Sequence, residues 1–217
     1  RFTDETAPRN NALRRYHGAN PTTVVLLNVA MFRPEKNQRE LIELCAKLPG
    51  YLDWQLWLAG DGPARKGCQR LAHDLGLGSR VKFLGYTSDP TPLYHASDLA
   101  VLASQSESLS NFLIEAQLHG LPVVAYDIVG VGECFVPDRS GCLIPNRDQV
   151  SFIAALDRLI RQPAERQRFA QHGRDHAQAK FVPERQMQAH LGLFRELTTK
   201  ATKEEPKKLN KPPLIIG

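Results

Sequence analysis

Six short, mainly apolar segments recur along the chain between residues 23 and 145. Most show no alternation of apolar and polar side chains, which predicts strands covered on both faces, as in a parallel sheet. The predicted strands are residues 23–31, 54–60, 81–85, 98–104, 122–127 and 141–145.

Segments with apolar residues at helical spacing lie between and after these strands. Residues 37–48 and 152–160 each place their leucines and other apolar side chains on one face. Two more helices are predicted at 163–178, which begins with a proline suited to a first helical turn, and at 182–197. The repeated order of strand, helix and strand predicts the α/β class, with a doubly wound parallel sheet.

The composition is that of a soluble globular protein, with 42% hydrophobic and 24% charged residues among 217. We expect a polar linker at 1–20, one domain at 21–198 and a basic, disordered tail at 199–217. No apolar run reaches the roughly 18 residues of a membrane helix, and the first residues lack the apolar core of a signal peptide. A cytoplasmic location is therefore expected, with the inner face of the membrane as an alternative; a start at Arg1 allows a fragment.

The cysteines and the net charge exclude few classes of function. The four cysteines show no C-x-x-C pair and no zinc spacing, so they are interpreted as buried thiols, with a disulfide between Cys134 and Cys142 left open. A net charge of +5 comes largely from both ends of the chain. Such charge suits nucleic acid, an anionic membrane surface or a phosphorylated substrate, and a solvated surface accounts for it equally.

Candidate chemistry is concentrated after the strands, where a doubly wound sheet binds ligands. Arg33 and Lys36 follow the first predicted strand, and glycine-rich turns follow the second and the fifth. The fourth strand is followed by the serine-rich segment "SQSESLSN", which contains Glu107. Two cations and several glycine turns at one rim favour a phosphorylated ligand.

Glu107 and Glu115 have seven residues between them, around a predicted helix start. A serine cap at Ser108 or Ser110 would leave the next backbone N–H groups free as an anion site. The two carboxylates are separated by roughly 12 Å of helix rise, so they would reach opposite sides of a diphosphate. Because a carboxylate suits a vicinal diol, this layout predicts a nucleoside diphosphate sugar.

These residues lie within a series of motifs: "RPEKN", "LAGDGP", "VKFLGY", "YHASDLAVLAS", the E-x7-E pair with "EAQLHGLPVVA", and "VGVGE". In this order, over roughly residues 23–198, the set resembles the C-terminal, donor-binding domain of GT-B glycosyltransferases, specifically the retaining enzymes of glycosyltransferase family 4. The resemblance implies a single Rossmann-like α/β domain, the C-terminal half of a GT-B fold. The acceptor-binding N-terminal domain of such enzymes is missing from this chain.

The resemblance also implies roles for individual residues. Glu115 matches the carboxylate that holds the donor ribose, Glu107 the acid that contacts the donor sugar, and Lys36 the lysine that neutralises the departing diphosphate. The remaining implied contacts are through the backbone: Ser110, Asn111 and Phe112 for the distal phosphate, and Gly85 and Tyr86 for the base.

Two positions depart from the family pattern. Met31 stands where an arginine is usual, and Val129 stands where a pair of glycines usually begins. Arg33, two residues after Met31, is expected to substitute for that arginine. The predicted catalytic residues are therefore Glu107, Arg33 and Lys36.

The implied reaction is transfer of a sugar from a UDP- or GDP-linked donor to an acceptor with retention, in the synthesis of cell-surface polysaccharide or glycolipid. Cations and a helix N-terminus would stabilise the leaving diphosphate, so no protein nucleophile is required. The chain contains no D-x-D motif, so we expect no metal site and no cofactor besides the donor substrate. Peripheral membrane contact is a further expectation, and a nucleic-acid partner is not expected.

Three alternatives remain open at this point. The first is a non-catalytic nucleotide-sugar sensor or regulatory subunit, of which Met31 and Val129 would be the signs. The second is a nucleic-acid or membrane-surface binder that uses the basic ends. The third is a GT-B epimerase or phosphorylase. A metal at His172 and His176, four residues apart on one helix, is disfavoured because a solvated helix face explains them better.

Overall fold

The computed structural model describes residues 9–181, which form a six-stranded parallel sheet with helices around it. The strand order is β3-β2-β1-β4-β5-β6, which is the order of the classic dinucleotide-binding fold. All six predicted strands are confirmed, and with them the Rossmann-like fold class. The strands are β1 (Val24–Val29), β2 (Trp54–Ala59), β3 (Val81–Gly85), β4 (Leu99–Leu102), β5 (Val123–Asp127) and β6 (Gly141–Pro145).

Of the four helices predicted from the spacing of apolar residues, three are present. The fourth, at 182–197, and the predicted tail at 199–217 lie outside the described residues. A short 3-10 helix at Pro34–Lys36 leads into the second α-helix. The α-helices are α1 (Asn11–Tyr16), α2 (Gln38–Ala46), α3 (Arg65–Asp74), α4 (Thr91–Tyr94), α5 (Asn111–Leu118), α6 (Gln149–Arg161) and α7 (Pro163–Phe181).

The core lies on both faces of the central strands. Every residue of β2 and β4 is buried, which explains why these segments read as continuous apolar runs. Phe152 of α6 packs on Tyr126 of β5, with their ring centroids 4.8 Å apart. The four cysteines are buried free thiols, so the disulfide left open between Cys134 and Cys142 is not formed.

The segment expected to be a linker is folded in its described part, residues 9–20. It contains α1, whose Arg14 is only 1% exposed. The Arg14 guanidinium donates to the carbonyl oxygen of Ala96 at 2.8 Å and to the carboxylate of Asp98 at 3.0 Å. These bonds satisfy a buried charge, so the expectation of a linker is corrected for this part of the chain.

Neighbouring strands β1 and β4 mark the point where the strand order reverses. The chain leaves β1 towards β2 on one side and leaves β4 towards β5 on the other, so the loops after these two strands diverge and open a crevice. Among residues 9–181, no helix combines the length and the apolar character needed to cross a bilayer.

Candidate functional site

An ion pair joins the two loops that flank this crevice. Lys36, at the end of the 3-10 helix after β1, donates from Nζ to both carboxylate oxygens of Glu107 at 2.8 Å. The Glu107 side chain is 8% exposed and that of Lys36 is 27% exposed, so the pair is shielded but reachable from solvent. Two of the three predicted catalytic residues therefore lie together at the reversal point of the sheet.

Hydrogen bonds between the same two loops fix the position of Lys36. Asn37 adopts the left-handed conformation at φ 51°, and its side-chain amide donates to the carbonyl oxygen of Ala103 at 3.2 Å. The backbone N–H of Gln105 donates to the carbonyl oxygen of Glu35 at 2.8 Å. These two bonds hold the loop after β1 against the loop after β4, so Lys36 and Glu107 meet without a ligand.

The predicted anion site lies at the start of α5. The helix begins at Asn111, and Ser110 is its N-cap in an extended conformation without a side-chain capping bond. The backbone N–H groups of Asn111 and Phe112 find no acceptor among residues 9–181, so they are available to an anion. The N–H of Ser110 lies 3.4 Å from the sulfur of buried Cys134, which leaves two of the three predicted amides open.

Glu115 lies one turn further along α5 and is half-buried. Its Oε2 accepts a hydrogen bond from the hydroxyl of Tyr94 at 2.8 Å. Burial and the Glu115 charge raise the pKa of Tyr94, so the phenol stays protonated and is the donor. Sequence analysis missed this partner, although Tyr94 stands in the quoted motif "YHASDLAVLAS".

Gly85 and Tyr86, the residues expected near the base, end β3 at the same rim. Gly85 has φ +78°, and its carbonyl oxygen already accepts a hydrogen bond from the N–H of Gly60 at 2.7 Å. The Tyr86 side chain is 78% exposed and lines an open cleft. Tyr86 therefore remains the more accessible of the two residues for a ligand.

Two clefts of similar size lie at this rim of the sheet. The first, here called the β1–β3 cleft, has a volume of about 700 Å³, and the second, the β4–β6 cleft, has about 680 Å³. The β1–β3 cleft is lined by Val29, Ala30, Met31, Ala59, Gly60, Asp61, Gly62, Tyr86 and Thr87. The β4–β6 cleft is lined by Gln105, Ser106, Glu107, Asp127, Ile128, Val129, Gly130, Gly132, Glu133 and Asn146.

Arg33 lies apart from the other predicted catalytic residues. Its guanidinium is 3.9 Å from the carboxylate of Glu35, its side chain is 53% exposed, and it lines a separate groove together with Arg39. Met31, in contrast, lines the β1–β3 cleft. The structure therefore brings Lys36 and Glu107 together and does not place Arg33 beside them, because the turn into the 3-10 helix directs the arginine towards α3.

Two glycines hold the clefts in shape by close backbone packing. A Cβ at Gly60 would lie 2.0 Å from the carbonyl oxygen of Ala30, and one at Gly130 would lie 1.9 Å from that of Ser108. Both have positive φ, +133° and +82°, which other residues rarely adopt. At both positions the close contact between the two backbones therefore requires glycine.

The histidines and carboxylates of the described part form no metal-binding group. Within residues 9–181, no three His, Cys, Asp or Glu side chains converge to hold an ion. His119, which stacks on Tyr94, has its pKa lowered mainly by burial and secondly by the nearby His95. It is thus uncharged at neutral pH.

Comparisons with known proteins agree on one family. Residues 10–176 match the family described as glycosyl transferases group 1. Over 170 residues the chain is 32% identical to the lipopolysaccharide core biosynthesis glycosyltransferase LpsE of Rhizobium meliloti (strain 1021), covering 78% of this chain and 49% of LpsE. It is 29% identical to the alpha-D-kanosaminyltransferase of Streptomyces kanamyceticus, covering 89% of this chain and 50% of that enzyme.

Solved structures show the same fold. HepE from Anabaena in complex with UDP superposes with a TM-score of 0.77 at 26% identity, covering 89% of this chain and 54% of HepE. The chain spans about half the length of the curated relatives it matches. Since the family match covers most of the described residues, the resemblance seen in the motifs is confirmed: the chain belongs to the glycosyl transferases group 1 family, with the fold of the GT-B C-terminal domain.

Proposed function

We propose that this chain is the donor-binding half of a retaining glycosyltransferase that uses a nucleoside diphosphate sugar, UDP- or GDP-linked. The observation that carries the proposal is the Lys36–Glu107 pair, held across the reversal point of the sheet beside the open amides of α5. A cation, a carboxylate and a helix N-terminus at one rim match the charges of a sugar diphosphate.

The diphosphate is placed between Lys36 and the first turn of α5. The N–H groups of Asn111 and Phe112 and the positive end of the helix dipole attract the distal phosphate. As the bond between sugar and phosphate breaks, negative charge grows on the leaving group, and fixed donors at that position lower the barrier. Lys36 assists by shifting hydrogen bonds from Glu107 to the diphosphate.

Glu107, released by Lys36, then accepts hydrogen bonds from the donor sugar in the β4–β6 cleft. Glu115 accepts from the ribose hydroxyls, and the base lies in the β1–β3 cleft near Tyr86. In the proposed front-face transfer with retention, the acceptor attacks from the side of the leaving diphosphate, so Glu107 acts as a hydrogen-bond acceptor and no protein nucleophile is required.

The other half of the whole protein is proposed to bind the acceptor. Its presence is supported by the relatives, of which this chain spans about half. LpsE is named for lipopolysaccharide core biosynthesis, so we propose a glycolipid or cell-surface polysaccharide as acceptor.

A non-catalytic nucleotide-sugar-binding subunit is the second candidate. It is favoured by Met31, which lines the β1–β3 cleft at the place of the usual family cation, and by the position of Arg33 outside the site. The two candidates predict the same donor binding and differ in turnover by the full-length protein.

Calorimetry on the 217-residue chain tests donor binding directly. We expect UDP or GDP to bind, with an unchanged dissociation constant in EDTA, because no metal is proposed in the phosphate site. Lys36→Ala should weaken binding, whereas Lys47→Ala, which removes a surface lysine bonded to Gln149, should not. Failure of both nucleotides to bind would contradict the proposal, and a strict requirement for Mg²⁺ or Mn²⁺ would contradict its metal-free form.

A further inference from the structure

The hydroxyl of Tyr94 makes a contact that the proposed reaction does not use. Tyr94 ends α4 and is 2% exposed, and its hydroxyl donates to Oε2 of Glu115 at 2.8 Å. One oxygen of the proposed ribose-binding carboxylate is therefore already engaged. The other has no partner among residues 9–181.

The Tyr94 ring is clamped between two other rings. Its centroid lies 4.9 Å from that of His119 with an interplanar angle of 13°, and 6.4 Å from that of Phe112 with an angle of 22°. Phe112 is also the residue whose N–H is open at the start of α5. The clamp fixes the direction of the hydroxyl relative to the proposed phosphate site.

The protonation states make the direction of this hydrogen bond unambiguous. Burial, followed by the charge of Glu115, raises the pKa of Tyr94, so the phenol is protonated throughout the neutral range. Burial lowers the pKa of His119, so the stacked imidazole is neutral there. The Glu115 carboxylate is thus the acceptor of this hydrogen bond.

We propose that Tyr94 is a positioning residue that orients Glu115 towards the ribose diol, and that this makes the site select ribonucleotides over 2′-deoxyribonucleotides. The inference rests on the proposed function. A carboxylate held by one oxygen presents the other in a fixed direction, so less rotational freedom is lost when a diol binds. Without the Tyr94 hydroxyl, the Glu115 carboxylate would rotate freely. Its affinity for a vicinal diol would then exceed that for a single hydroxyl by less.

A second buried tyrosine provides a matched control. Tyr126 is also 2% exposed, and its hydroxyl donates to Oε1 of the half-buried Glu40 at 2.9 Å. Tyr126→Phe therefore removes the same bond as Tyr94→Phe, between the same residue types, without touching Glu115. The experiment measures dissociation constants for UDP and 2′-deoxy-UDP by calorimetry on the wild-type chain and both variants. If GDP is the nucleotide bound, GDP and 2′-deoxy-GDP replace them.

We expect the wild-type chain to prefer the ribonucleotide by about tenfold, the effect of a hydrogen bond to a charged group. Tyr94→Phe should weaken ribonucleotide binding by about tenfold and 2′-deoxyribonucleotide binding by less than about twofold, so the preference disappears. Tyr126→Phe should keep the wild-type preference. Thermal melts of both variants show whether their losses of stability are comparable.

Other outcomes separate this inference from the proposed function. An unchanged preference in Tyr94→Phe, or equal wild-type affinity for both nucleotides, overturns the inference while nucleotide binding still supports the proposed function. Lack of binding of any nucleoside diphosphate to the wild-type chain overturns both. Should Tyr94→Phe fail to fold, His119→Ala loosens the clamp and keeps the hydroxyl; a preference reduced by about threefold supports the inference, and an unchanged one overturns it.

Discussion

The two clefts at the rim of the sheet have nearly equal volumes, about 700 and 680 Å³, but different linings. The β1–β3 cleft is formed by loop backbone and small or apolar side chains, and Asp61 is the one carboxylate among its described lining residues. The β4–β6 cleft is lined by three carboxylates, those of Glu107, Asp127 and Glu133. Size therefore does not distinguish the clefts, whereas chemistry does.

This difference indicates which end of the proposed donor suits each cleft. A flat nucleobase is held by backbone atoms and apolar contact, which the β1–β3 cleft supplies. Sugar hydroxyls need hydrogen-bond acceptors, and carboxylates are the strongest acceptors among the side chains. Glu107, which pairs with Lys36, lines the β4–β6 cleft, so the pair lies at the end of the site proposed for the sugar and the diphosphate.

The largest expected effect comes from breaking either cleft at its glycine. Gly60→Ala and Gly130→Ala each place a Cβ about 2 Å from a carbonyl oxygen of a neighbouring loop, at positive φ. Each should lower the free energy of unfolding by roughly 3–5 kcal/mol, measured by urea denaturation.

Gly76→Ala is the control for these variants. Gly76 also has positive φ, +70°, but a Cβ there meets nothing within 4 Å. Only the backbone strain remains, so the loss should be about 1 kcal/mol. Equal losses in all three variants would show that close loop packing does not hold the clefts in shape.

The next largest effect is expected at Lys36, the cation paired with Glu107. In the full-length protein, Lys36→Ala should lower kcat about a hundredfold, comparable to the loss of one oxyanion donor, because charge grows on the diphosphate in the transition state. Arg33→Ala should lower it less than about threefold, since Arg33 lies in another groove with Arg39. Arg39→Ala is the matched control for that groove.

Steady-state kinetics with the full-length protein decides between these expectations. If Arg33→Ala costs as much as Lys36→Ala, the arginine reaches the diphosphate when donor binds, as its position in the sequence first suggested. If neither variant changes the rate of sugar transfer while nucleotide binding persists, the non-catalytic nucleotide-sugar-binding subunit is the favoured candidate.

The central strands were predictable because burial on both faces leaves a mainly apolar run, a signal that needs no tertiary information. Helix α3 carries no such signal: of its ten residues only Cys68 and Ala72 are buried, so no broad apolar stripe marks it. Helix α1 was missed because its buried residue is Arg14, whose guanidinium bonds to Ala96 and Asp98, more than 80 positions away, and to the carbonyl oxygens of Asn20 and Thr23.

The sequence was sufficient to predict which residues share the rim of the sheet. It was not sufficient to predict the direction of each side chain. Glu107 and Lys36 were expected together and are together. Arg33 was expected with them, yet it caps the start of the 3-10 helix while Lys36 lies at its end, and the Arg33 side chain lines a different groove. The partner of Glu115 comes from a different element, and no spacing along the chain relates Tyr94 to it.

The smallest expected effect tests whether the ion pair itself restrains the phosphate site. Lys36 directs its ammonium to both oxygens of Glu107, so a diphosphate must compete with that carboxylate for the cation. Glu107→Gln removes the competing charge and should tighten UDP binding about two- to fivefold, the scale of one partly exposed charge pair. The same substitution should give no gain for UDP-glucose, because the acceptor for sugar hydroxyls is weakened at the same time.

Asp127→Asn separates this effect from a general reduction of negative charge in the β4–β6 cleft. Asp127 lines the same cleft and has no bond to Lys36. If Asp127→Asn tightens UDP binding as much as Glu107→Gln does, the tighter binding comes from a less negative electrostatic potential in the cleft and not from release of Lys36. If Glu107→Gln weakens UDP binding, Glu107 holds Lys36 in its binding position. The conformational entropy that an unpaired Lys36 side chain loses on binding UDP then outweighs the stronger electrostatic attraction. Calorimetric titration of both variants with UDP and UDP-glucose therefore decides whether the pair competes with the diphosphate or prepares its site.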